Sequence, residues 1–320
     1  MESLEKYFSE LTGCREPKNL YQPICYALLQ GGKRLRPRMV IYSTRLFGGD
    51  EQAAIHPAAA FEMLHNFTLV HDDIMDNAPL RRGKPTVYRQ WDSNIAILSG
   101  DALATMALLE VLATPVKPET VIALTKLLSQ TSIEICEGQQ LDLDFEKMDE
   151  VSIEEYIHMI NGKTAVMFAG CLKAGAMLSY ASEEDQKHIY QYGINLGLAF
   201  QLRDDLLDVY GDDEVFGKEI GGDIRENKKT YLYLRALQDA DSTQKNILKD
   251  CFSSDCIDEK QKFARVTQVY DQLSIRKKTE DEIERLVQLA LDELNQIQSG
   301  DEKARETLIH LVQDLSSRTK

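Results

Sequence analysis

The segment from Glu62 to Asp76 is an apolar helical stretch that ends in three carboxylates. Residues four apart lie above one another on a helix, so Asp72 and Asp76 share a face and Asp73 lies a step to the side. Carboxylates this close repel one another unless a cation or a proton relieves the repulsion. A hard divalent cation with oxygen ligands is the simplest relief, and the spacing therefore predicts a Mg²⁺ site at the end of this helix.

The same spacing occurs a second time, after the apolar run Ile194–Phe200, where the acids are Asp204, Asp205 and Asp208. One acidic i, i+4 pair is common on solvated helix faces. Acids that serve only solubility, however, have polar neighbours and do not stand at the ends of core helices. Two such motifs predict two carboxylate clusters that face each other across a cavity and share metal ions.

Apolar residues recur at spacings of three and four along the chain, and no long stretch alternates with period two. A further helix should begin after Asp301, whose side chain suits an N-cap. No serine- or glycine-rich linker divides the sequence. We therefore predict one all-α domain, residues 1–320, of about ten or more helices. One apolar stripe, near the C-terminus, consists of Ile283, Leu286, Leu289, Ala290 and Leu294.

Composition narrows the function and the location. The net charge of −15 is against a nucleic-acid-binding protein, because phosphate backbones attract basic surfaces. The most apolar window, Ile97 to Val116, contains Asp101 and Glu110 and predicts a buried core helix, not a membrane span. The first residues lack the pattern of a signal peptide, so we expect a cytoplasmic protein. Cys136 and Cys171 lie in apolar helical surroundings and are predicted to be buried thiols.

Basic residues gather beside both acidic motifs. Arginine forks and lysine point charges are the groups that diphosphates need. For any single cluster, solvated loop charges are the simpler interpretation. Their placement next to both acidic motifs favours a polyphosphate, because metals and cations together suit it better than either alone. The clusters are Gly31-Gly32-Lys33-Arg34-Leu35-Arg36-Pro37, Arg81-Arg82-Gly83-Lys84, and Gly217-Lys218 with Lys228-Lys229 around a glycine-rich loop.

Five motifs follow one another in order between Tyr21 and Tyr231: the Gly31–Pro37 stretch, the first aspartate motif with Arg81-Arg82-Gly83, Gly138-Gln139 with Asp142, Gly162-Lys163-Thr164, and Phe200-Gln201 before the second aspartate motif and its lysine loop. This series resembles the trans-isoprenyl diphosphate synthases, or polyprenyl synthetases, of the short-chain farnesyl or geranylgeranyl type. The resemblance implies an all-α bundle around a deep central cavity (the isoprenoid synthase fold), usually as a homodimer. It also implies condensation of isopentenyl diphosphate with dimethylallyl, geranyl or farnesyl diphosphate by ionisation, condensation and elimination.

The resemblance also implies roles for residues at the matching positions. About three Mg²⁺ ions per active site, replaceable by Mn²⁺, are expected, and their ligands would be Asp72, Asp73, Asp76, Asp204, Asp205 and Asp208. The allylic diphosphate would be bound by Arg81, Lys163, Gln201, Lys218 and Lys228. Isopentenyl diphosphate would be bound by Lys33, Arg36, His65 and Arg82. The residues lining the reacting region would be Gln139, Asp142, Phe200 and Thr164. Direct parts in catalysis fall to Asp72, Asp73, Asp76, Lys163, Thr164, Gln201, Asp204 and Lys218.

The two histidines of this helix are interpreted differently. A lone histidine in an apolar helix is more often a satisfied core residue than a ligand. His65 lies two turns before Asp72, where the family has a diphosphate ligand, so we assign it to the diphosphate. His71 has no equivalent support and is assigned a structural role.

Product length should depend on side chains below the first aspartate motif. Leu64 and Thr68 continue the row of Asp72 and Asp76 at four-residue steps, and Phe67 occupies the neighbouring row. In the resembling family an aromatic residue five positions before the first aspartate marks a short-chain enzyme, and Phe67 holds that place. Thr68 leaves more room than a second aromatic residue would, and the motif has no insertion. Farnesyl and geranylgeranyl products therefore both stay open.

Two other functions fit part of the pattern. A class I terpene cyclase also uses an aspartate-rich helix and metals, but its second metal site normally follows a different motif, and Lys33 and Arg36 match isopentenyl diphosphate binding. A non-catalytic subunit of a heteromeric synthase typically loses one acidic motif, whereas this chain has both.

Overall fold

The computed structural model describes residues 2–12, 15–211, 220–253, 258–298 and 301–316, and these are almost entirely helical. The all-α prediction is confirmed. The α-helices are α1 Glu2–Thr12, α2 Lys18–Leu29, α3 Leu35–Leu46, α4 Ile55–Met75, α5 Val87–Gln90, α6 Ser93–Leu112, α7 Pro118–Lys147, α8 Ile153–Ile160, α9 Val166–Leu178, α10 Glu183–Tyr210, α11 Gly222–Arg225, α12 Tyr231–Asp239, α13 Ser242–Ser253, α14 Glu259–Gln272, α15 Ile275–Gln296 and α16 Glu302–Ser316. A π-helical turn, Asn161–Ala165, joins α8 to α9, and the short strands β1 Leu80–Arg81 and β2 Lys84–Pro85 follow α4.

The chain divides into two compact units. The first contains Met1–Ser132, Gly170–Tyr190 and Ile297–Arg305, and the second contains Ile133–Ala169, Gln191–Gln296 and Glu306–Lys320. Four helices, α7, α9, α10 and α16, contribute residues to both units. That residues 1–320 form a single domain stays a prediction.

The first unit has a core built largely on α4. Ala58, Phe61 and Met63 of this helix are at most 1% exposed. Gly100 of α6 lies so close to α4 that a Cβ there would overlap the ring of His71. This close approach fixes the last turns of α4, which carry the first aspartate motif, against α6.

The prediction that Ile97 to Val116 forms a buried core helix is wrong for one face of α6. Leu98, Leu109 and Leu112 are 59%, 58% and 57% exposed, although Leu103 and Ala107 are fully buried. The reason is that α6 is apolar all round, while the first unit covers only one side of it. By length and composition alone this helix could span a membrane, and 44% of its most apolar window is buried.

A two-stranded hairpin follows the first aspartate motif. Arg81 pairs with Lys84 and Leu80 pairs with Pro85. Both turn residues, Arg82 and Gly83, have positive φ angles of 53° and 73°, as hairpin turns of this length require. Strands of two residues are too short to show alternation with period two in the sequence. The sequence therefore did not predict them.

The second unit has its own core, in which Leu202, Leu232 and Val266 are fully buried. A capping box begins α8, since Ser152 and Glu155 each accept a hydrogen bond from the other's backbone N–H. In α15 the predicted stripe is buried except for Leu289, which is 38% exposed and was wrongly included because it lies at the edge of the stripe.

Two further sequence predictions meet the structure at single residues. The side chain of Asp301 accepts a hydrogen bond from the backbone N–H of Ala304 at 2.9 Å, which confirms it as a cap. Cys171 is buried, but Cys136 is exposed. Cys136 lies on the same outer side of α7 as Ile133, which is 52% exposed, so apolar neighbours in the sequence did not mean burial.

Candidate functional site

The first aspartate motif lies at the C-terminal end of α4 in the first unit. Asp73 is buried and accepts hydrogen bonds from Arg81 Nε at 2.8 Å and Nη2 at 2.7 Å. The same Nη2 lies 4.0 Å from Asp72 Oδ2. Asp76 caps the helix and is exposed. The hairpin thus brings a predicted diphosphate ligand, Arg81, onto the predicted metal ligands.

His65 lies on α4 two turns before the first aspartate motif, and arginines from other parts of the chain surround it. Burial lowers the pKa of His65 well below its usual value, and the positive charges of Arg36, Arg82, Arg81 and Arg34 lower it further. The imidazole is therefore neutral at physiological pH, with one nitrogen that donates and one that accepts.

The Arg82 side chain crosses to the loop before α3, where Nη1 donates to the carbonyl of Gly31. A Cβ on Gly32 would lie 2.8 Å from Arg82 Cζ, so the glycine lets the guanidinium approach the backbone. Lys33 is exposed and Arg36 half-buried on the same loop and helix start. The structure therefore brings Arg36, His65 and Arg82 together, and their binding of one diphosphate stays a prediction.

The side chains predicted to set product length occupy the middle of α4. Leu64 is buried, whereas Phe67 and Thr68 are half-buried. The Thr68 hydroxyl donates to the carbonyl of His65 at 2.8 Å, which leaves its methyl group as the apolar contact. The Phe67 ring meets that of His71 edge to face, with centroids 4.8 Å apart.

The sequence predicts a structural role for His71, and its contacts agree with that role. Its Nε2 lies 3.1 Å from the carbonyl oxygen of Ile97 on α6 and 3.9 Å from Asp101. With Gly100 beneath the ring, these contacts join α4 to α6 below the first aspartate motif.

The second aspartate motif lies near the end of α10 in the second unit, and Asp205 is its buried member. Asp205 accepts a hydrogen bond from the hydroxyl of Tyr156 and one from Gln201 Nε2 at 3.0 Å. The Gln201 oxygen in turn accepts from the hydroxyl of Thr164 at 2.9 Å. Burial raises the pKa of Asp205 to about 7, and the charges of Asp204 and Asp208 act in the same direction against these hydrogen bonds.

A cavity of about 110 Å³ opens beside this network within the second unit. Lys163 lines it and donates to Asp142 Oδ2 at 2.6 Å. Lys228 lines it too, with Nζ 3.0 Å from Glu226 Oε2. The structure therefore collects Asp142, Lys163, Gln201 and Lys228, from three of the five sequence motifs, around one space.

Tyr156 and Asp223 also line this cavity, and sequence reasoning gave neither a role. The sequence around Tyr156 did not indicate a role, because its position on α8 shows only that the residue lies beside apolar neighbours. Asp223 belongs to Gly221-Gly222-Asp223, the glycine-rich loop between Lys218 and Lys228. Burial raises its pKa well above the usual value, and the charge of Asp208 adds to the shift. Its backbone N–H donates to Asp208 Oδ2 at 3.0 Å.

The π-helical turn is what presents Lys163 and Thr164. An extra residue in a turn of this kind redirects side chains, and such turns are frequent at functional sites. Two glycines permit it: a Cβ on Gly138 of α7 would overlap the backbone nitrogen of Lys163, and one on Gly162 would lie 2.9 Å from the carbonyl oxygen of Glu134.

The donor set fits a divalent metal that is bound partly by other oxygens. Within the described ranges, no three His, Cys, Asp or Glu side chains are close enough together to hold an ion by themselves. Mg²⁺ commonly takes one or two carboxylates and completes its shell with waters and substrate phosphates. Burial, and to a lesser extent the charges of neighbouring carboxylates, raises the pKa of Asp205 and Asp223, and a bound cation would favour the ionised form of both.

Two further sequence predictions concern Lys218 and the arrangement of the two aspartate motifs. Lys218 lies in the segment 212–219, outside the described residues. The two aspartate motifs belong to different units, and the prediction that they face each other stays a prediction.

Comparison with known proteins identifies the family. A family model described as polyprenyl synthetase matches residues 17–273. A geranylgeranyl diphosphate synthase of Saccharolobus solfataricus is 40% identical over 306 residues, which cover 95% of this chain and 91% of that protein. The chain belongs to the polyprenyl synthetase family.

Two more known proteins show the same relationship. A geranylfarnesyl diphosphate synthase of Natronomonas pharaonis is 38% identical over 73% of this chain and 74% of its own length. The crystal structure of a geranylgeranyl pyrophosphate synthetase from Pyrococcus horikoshii Ot3 superposes with a TM-score of 0.93 at 36% identity, covering 99% of this chain and 95% of that one.

As a polyprenyl synthetase the chain is a prenyltransferase. Enzymes of this family use isoprenoid diphosphates and generally a divalent metal. The predicted family, fold and enzyme class are confirmed, and the roles of single residues stay predictions.

Proposed function

We propose that the chain condenses isopentenyl diphosphate with dimethylallyl, geranyl and farnesyl diphosphate to give geranylgeranyl diphosphate, with farnesyl diphosphate as the shorter product. The observation that carries the proposal is the arrangement at the end of α4, where Asp73 forms an ion pair with Arg81. Two turns earlier on the same helix, arginines surround a neutral His65. Similarity to the geranylgeranyl diphosphate synthase over 95% of the chain supports the same product class.

Isopentenyl diphosphate is bound by Lys33, Arg36, His65 and Arg82. Arg36 and Arg82 supply charge and forked donors for phosphate oxygens. A neutral His65 donates one hydrogen bond to the diphosphate without adding a further charge to this basic group.

The allylic diphosphate is bound by Arg81 together with Lys163, Gln201, Lys218 and Lys228. Lys163 and Lys228 both line the cavity beside Asp205. Gln201 is held from both sides, by the Thr164 hydroxyl and by Asp205, so its amide has a fixed orientation. The lining residues Gln139, Asp142 and Phe200 complete the reacting region.

The metal ligands are the two aspartate motifs, Asp72, Asp73, Asp76, Asp204, Asp205 and Asp208. These carboxylates would hold Mg²⁺, or Mn²⁺ in its place, which would supply positive charge to stabilise the departing diphosphate. Asp223 gives the second motif an additional, half-buried carboxylate.

The chain's own residues then protect and direct the reaction. The bonding pair of the C–O bond leaves with the diphosphate, and the double bond of isopentenyl diphosphate attacks the allylic cation. The new cation loses a proton to the released diphosphate, which needs no strong base on the protein. Lys163 and Thr164 stabilise and orient the diphosphate side of the substrate, and apolar neighbours exclude water that would quench the cation.

Product length is set by Phe67, with Thr68 and Leu64 beside it. The Phe67 ring is supported by His71, which is itself held by α6, so the ring cannot easily swing away from a growing tail. Thr68 is small enough to let the tail pass on its side.

The enzyme acts as a homodimer through the exposed face of α6. Leu98, Leu109 and Leu112 lie on one side of this helix and are each more than half exposed. An apolar stripe of this kind on a soluble enzyme is typical of a subunit interface.

Product analysis tests the proposal. The purified chain is incubated with isopentenyl diphosphate and each allylic primer, and the dephosphorylated products are separated by chromatography. We expect geranylgeraniol from all three primers, no product after EDTA treatment, and recovery with Mg²⁺. Hydrocarbon formed from farnesyl diphosphate alone would indicate a cyclase, and no product with any primer would indicate a non-catalytic subunit.

A further inference from the structure

Arg34 is an arginine almost wholly removed from solvent, at 6% exposed. It stands immediately before α3 with a left-handed backbone, at a φ of 51°. Such a backbone is unfavourable for a residue with a side chain and persists only where the surroundings hold it. Arg34 lies between Lys33 and the α3 residue Arg36, which are both assigned to isopentenyl diphosphate, yet its own side chain points into the protein.

The guanidinium of Arg34 bridges three elements of the first unit. Nη1 donates to Glu62 Oε1 on α4 at 2.5 Å, and Nη2 donates to the carbonyl of Leu28 in the last turn of α2. The loop that carries Lys33 begins two residues after Leu28 and ends at Arg34 itself. One side chain therefore ties both ends of this loop to α4.

Glu62 is also buried, at 2% exposed, and lies one turn before His65 on α4. The Asn66 amide donates to the Glu62 backbone carbonyl at 2.8 Å and approaches its Oε1 at 3.5 Å. Glu62 also acts on the neighbouring arginines, since its charge opposes the lowering of the Arg82 pKa by burial. A negative charge is thus fixed among cations that would otherwise repel one another.

We propose that the Arg34–Glu62 pair positions the Lys33–Arg36 loop relative to His65 and thereby sets the affinity for isopentenyl diphosphate. This inference rests on the proposed function, because it uses the same diphosphate site. Arg34 does not touch the substrate; it acts through Lys33 and Arg36. A buried ion pair is often no more stabilising than apolar side chains of the same size, so its value here lies in fixed geometry.

Two single variants and a double variant separate positioning from stability. Arg34→Gln and Glu62→Gln each leave one charge buried without its partner, and the melting temperature should fall. The double variant Arg34→Met/Glu62→Leu removes both charges and should recover most of the melting temperature. Each is assayed with isopentenyl diphosphate and geranyl diphosphate varied in turn.

In the double variant we expect the KM for isopentenyl diphosphate to rise about tenfold or more, because a shift of about 1 Å in a binding group has effects of this size. The KM for geranyl diphosphate should stay within about twofold. The matched control is Arg45→Met/Glu51→Leu, which removes an exposed pair between α3 and the loop before α4, with Nε–Oε1 and Nη2–Oε2 distances of 2.8 Å, and should change neither KM.

A stable double variant with an unchanged KM for isopentenyl diphosphate would overturn the inference and leave the proposed function intact. Equal rises in both KM values would also overturn it, since the pair would then act on the whole protein. If the wild-type chain does not turn over isopentenyl diphosphate at all, the proposed function and this inference both fail. Should the double variant not fold, Arg34→Lys, which keeps the charge but loses the fork, must raise the same KM selectively.

Discussion

A hydrogen-bond chain orders the residues around Asp205. It runs from Thr164 through Gln201 to Asp205, and Tyr156 donates to the other carboxylate oxygen. Each carboxylate oxygen of Asp205 accepts from a different donor, so the carboxylate has a single preferred orientation before any ligand binds. Outer partners of this kind typically tune how well a carboxylate holds its metal.

Removing the tyrosine hydroxyl tests this. In Tyr156→Phe we expect the Mg²⁺ concentration for half-maximal activity to rise about tenfold, the lower end of the range for lost outer-shell hydrogen bonds. The measurement is a Mg²⁺ titration of condensation. The control is Tyr7→Phe, which removes a hydroxyl that donates to Glu110 at 2.6 Å in the first unit and should leave the Mg²⁺ requirement unchanged.

Phe67 allows a test on product length. Phe67→Ala removes the ring that meets His71, so the tail can extend further and the products should lengthen by about one or two isoprene units; side-chain volume at the floor is the physical reason. Chromatography of the dephosphorylated alcohols measures this. Phe67→Tyr keeps a ring in the same place and should keep the original product. An unchanged distribution in the alanine variant would reject Phe67 as the floor.

At the scale of elements, the sequence predicted the helices but not their irregularities. Recurrence of apolar residues at three and four is a property of any amphipathic helix, so α4 and α10, with their acidic ends, were predictable. The π-helical turn was not, because it depends on how closely α7 approaches it at Gly138, which no local pattern records. The hairpin at Arg81 was missed because its strands are too short to alternate.

Gly138 is the element-scale test. In Gly138→Ala the added methyl group would overlap the Lys163 backbone, so the π-helical turn must shift. We expect kcat to fall about 100-fold, as for misplacement by about 1 Å, and the free energy of unfolding to fall by about 1–3 kcal/mol. Steady-state kinetics and denaturant unfolding measure the two effects. Glu137→Ala, at the exposed neighbouring position, should change neither.

At the scale of the whole molecule, burial was the least predictable property. Leu289, Cys136 and the outer leucines of α6 are apolar and helical, yet exposed. Periodicity shows which residues share a face, but it does not show whether another element covers that face. Likewise Tyr156 reaches Asp205 across 49 positions of sequence, a contact that only the folded chain creates.

The exposed α6 face predicts the oligomeric state. Leu98→Glu/Leu109→Glu places two charges on the proposed interface, and we expect the proposed dimer to dissociate to monomers because those charges would be buried without partners. Light scattering after size-exclusion chromatography measures the mass. Leu289→Glu, at an exposed leucine of α15, is the control and should stay dimeric. A wild-type protein that is already monomeric would refute the interface.

The boundaries between the two units fall inside continuous helices: α7 at 132/133, α9 at 169/170, α10 at 190/191 and α16 at 305/306. A fifth boundary, at 296/297, coincides with the end of α15. No single cut of the backbone releases either unit whole, so neither can be expressed as a simple truncation. A change of substrate preference in this chain must therefore come from substitutions. Exchanging one unit for that of another protein would require joining the two sequences at five places.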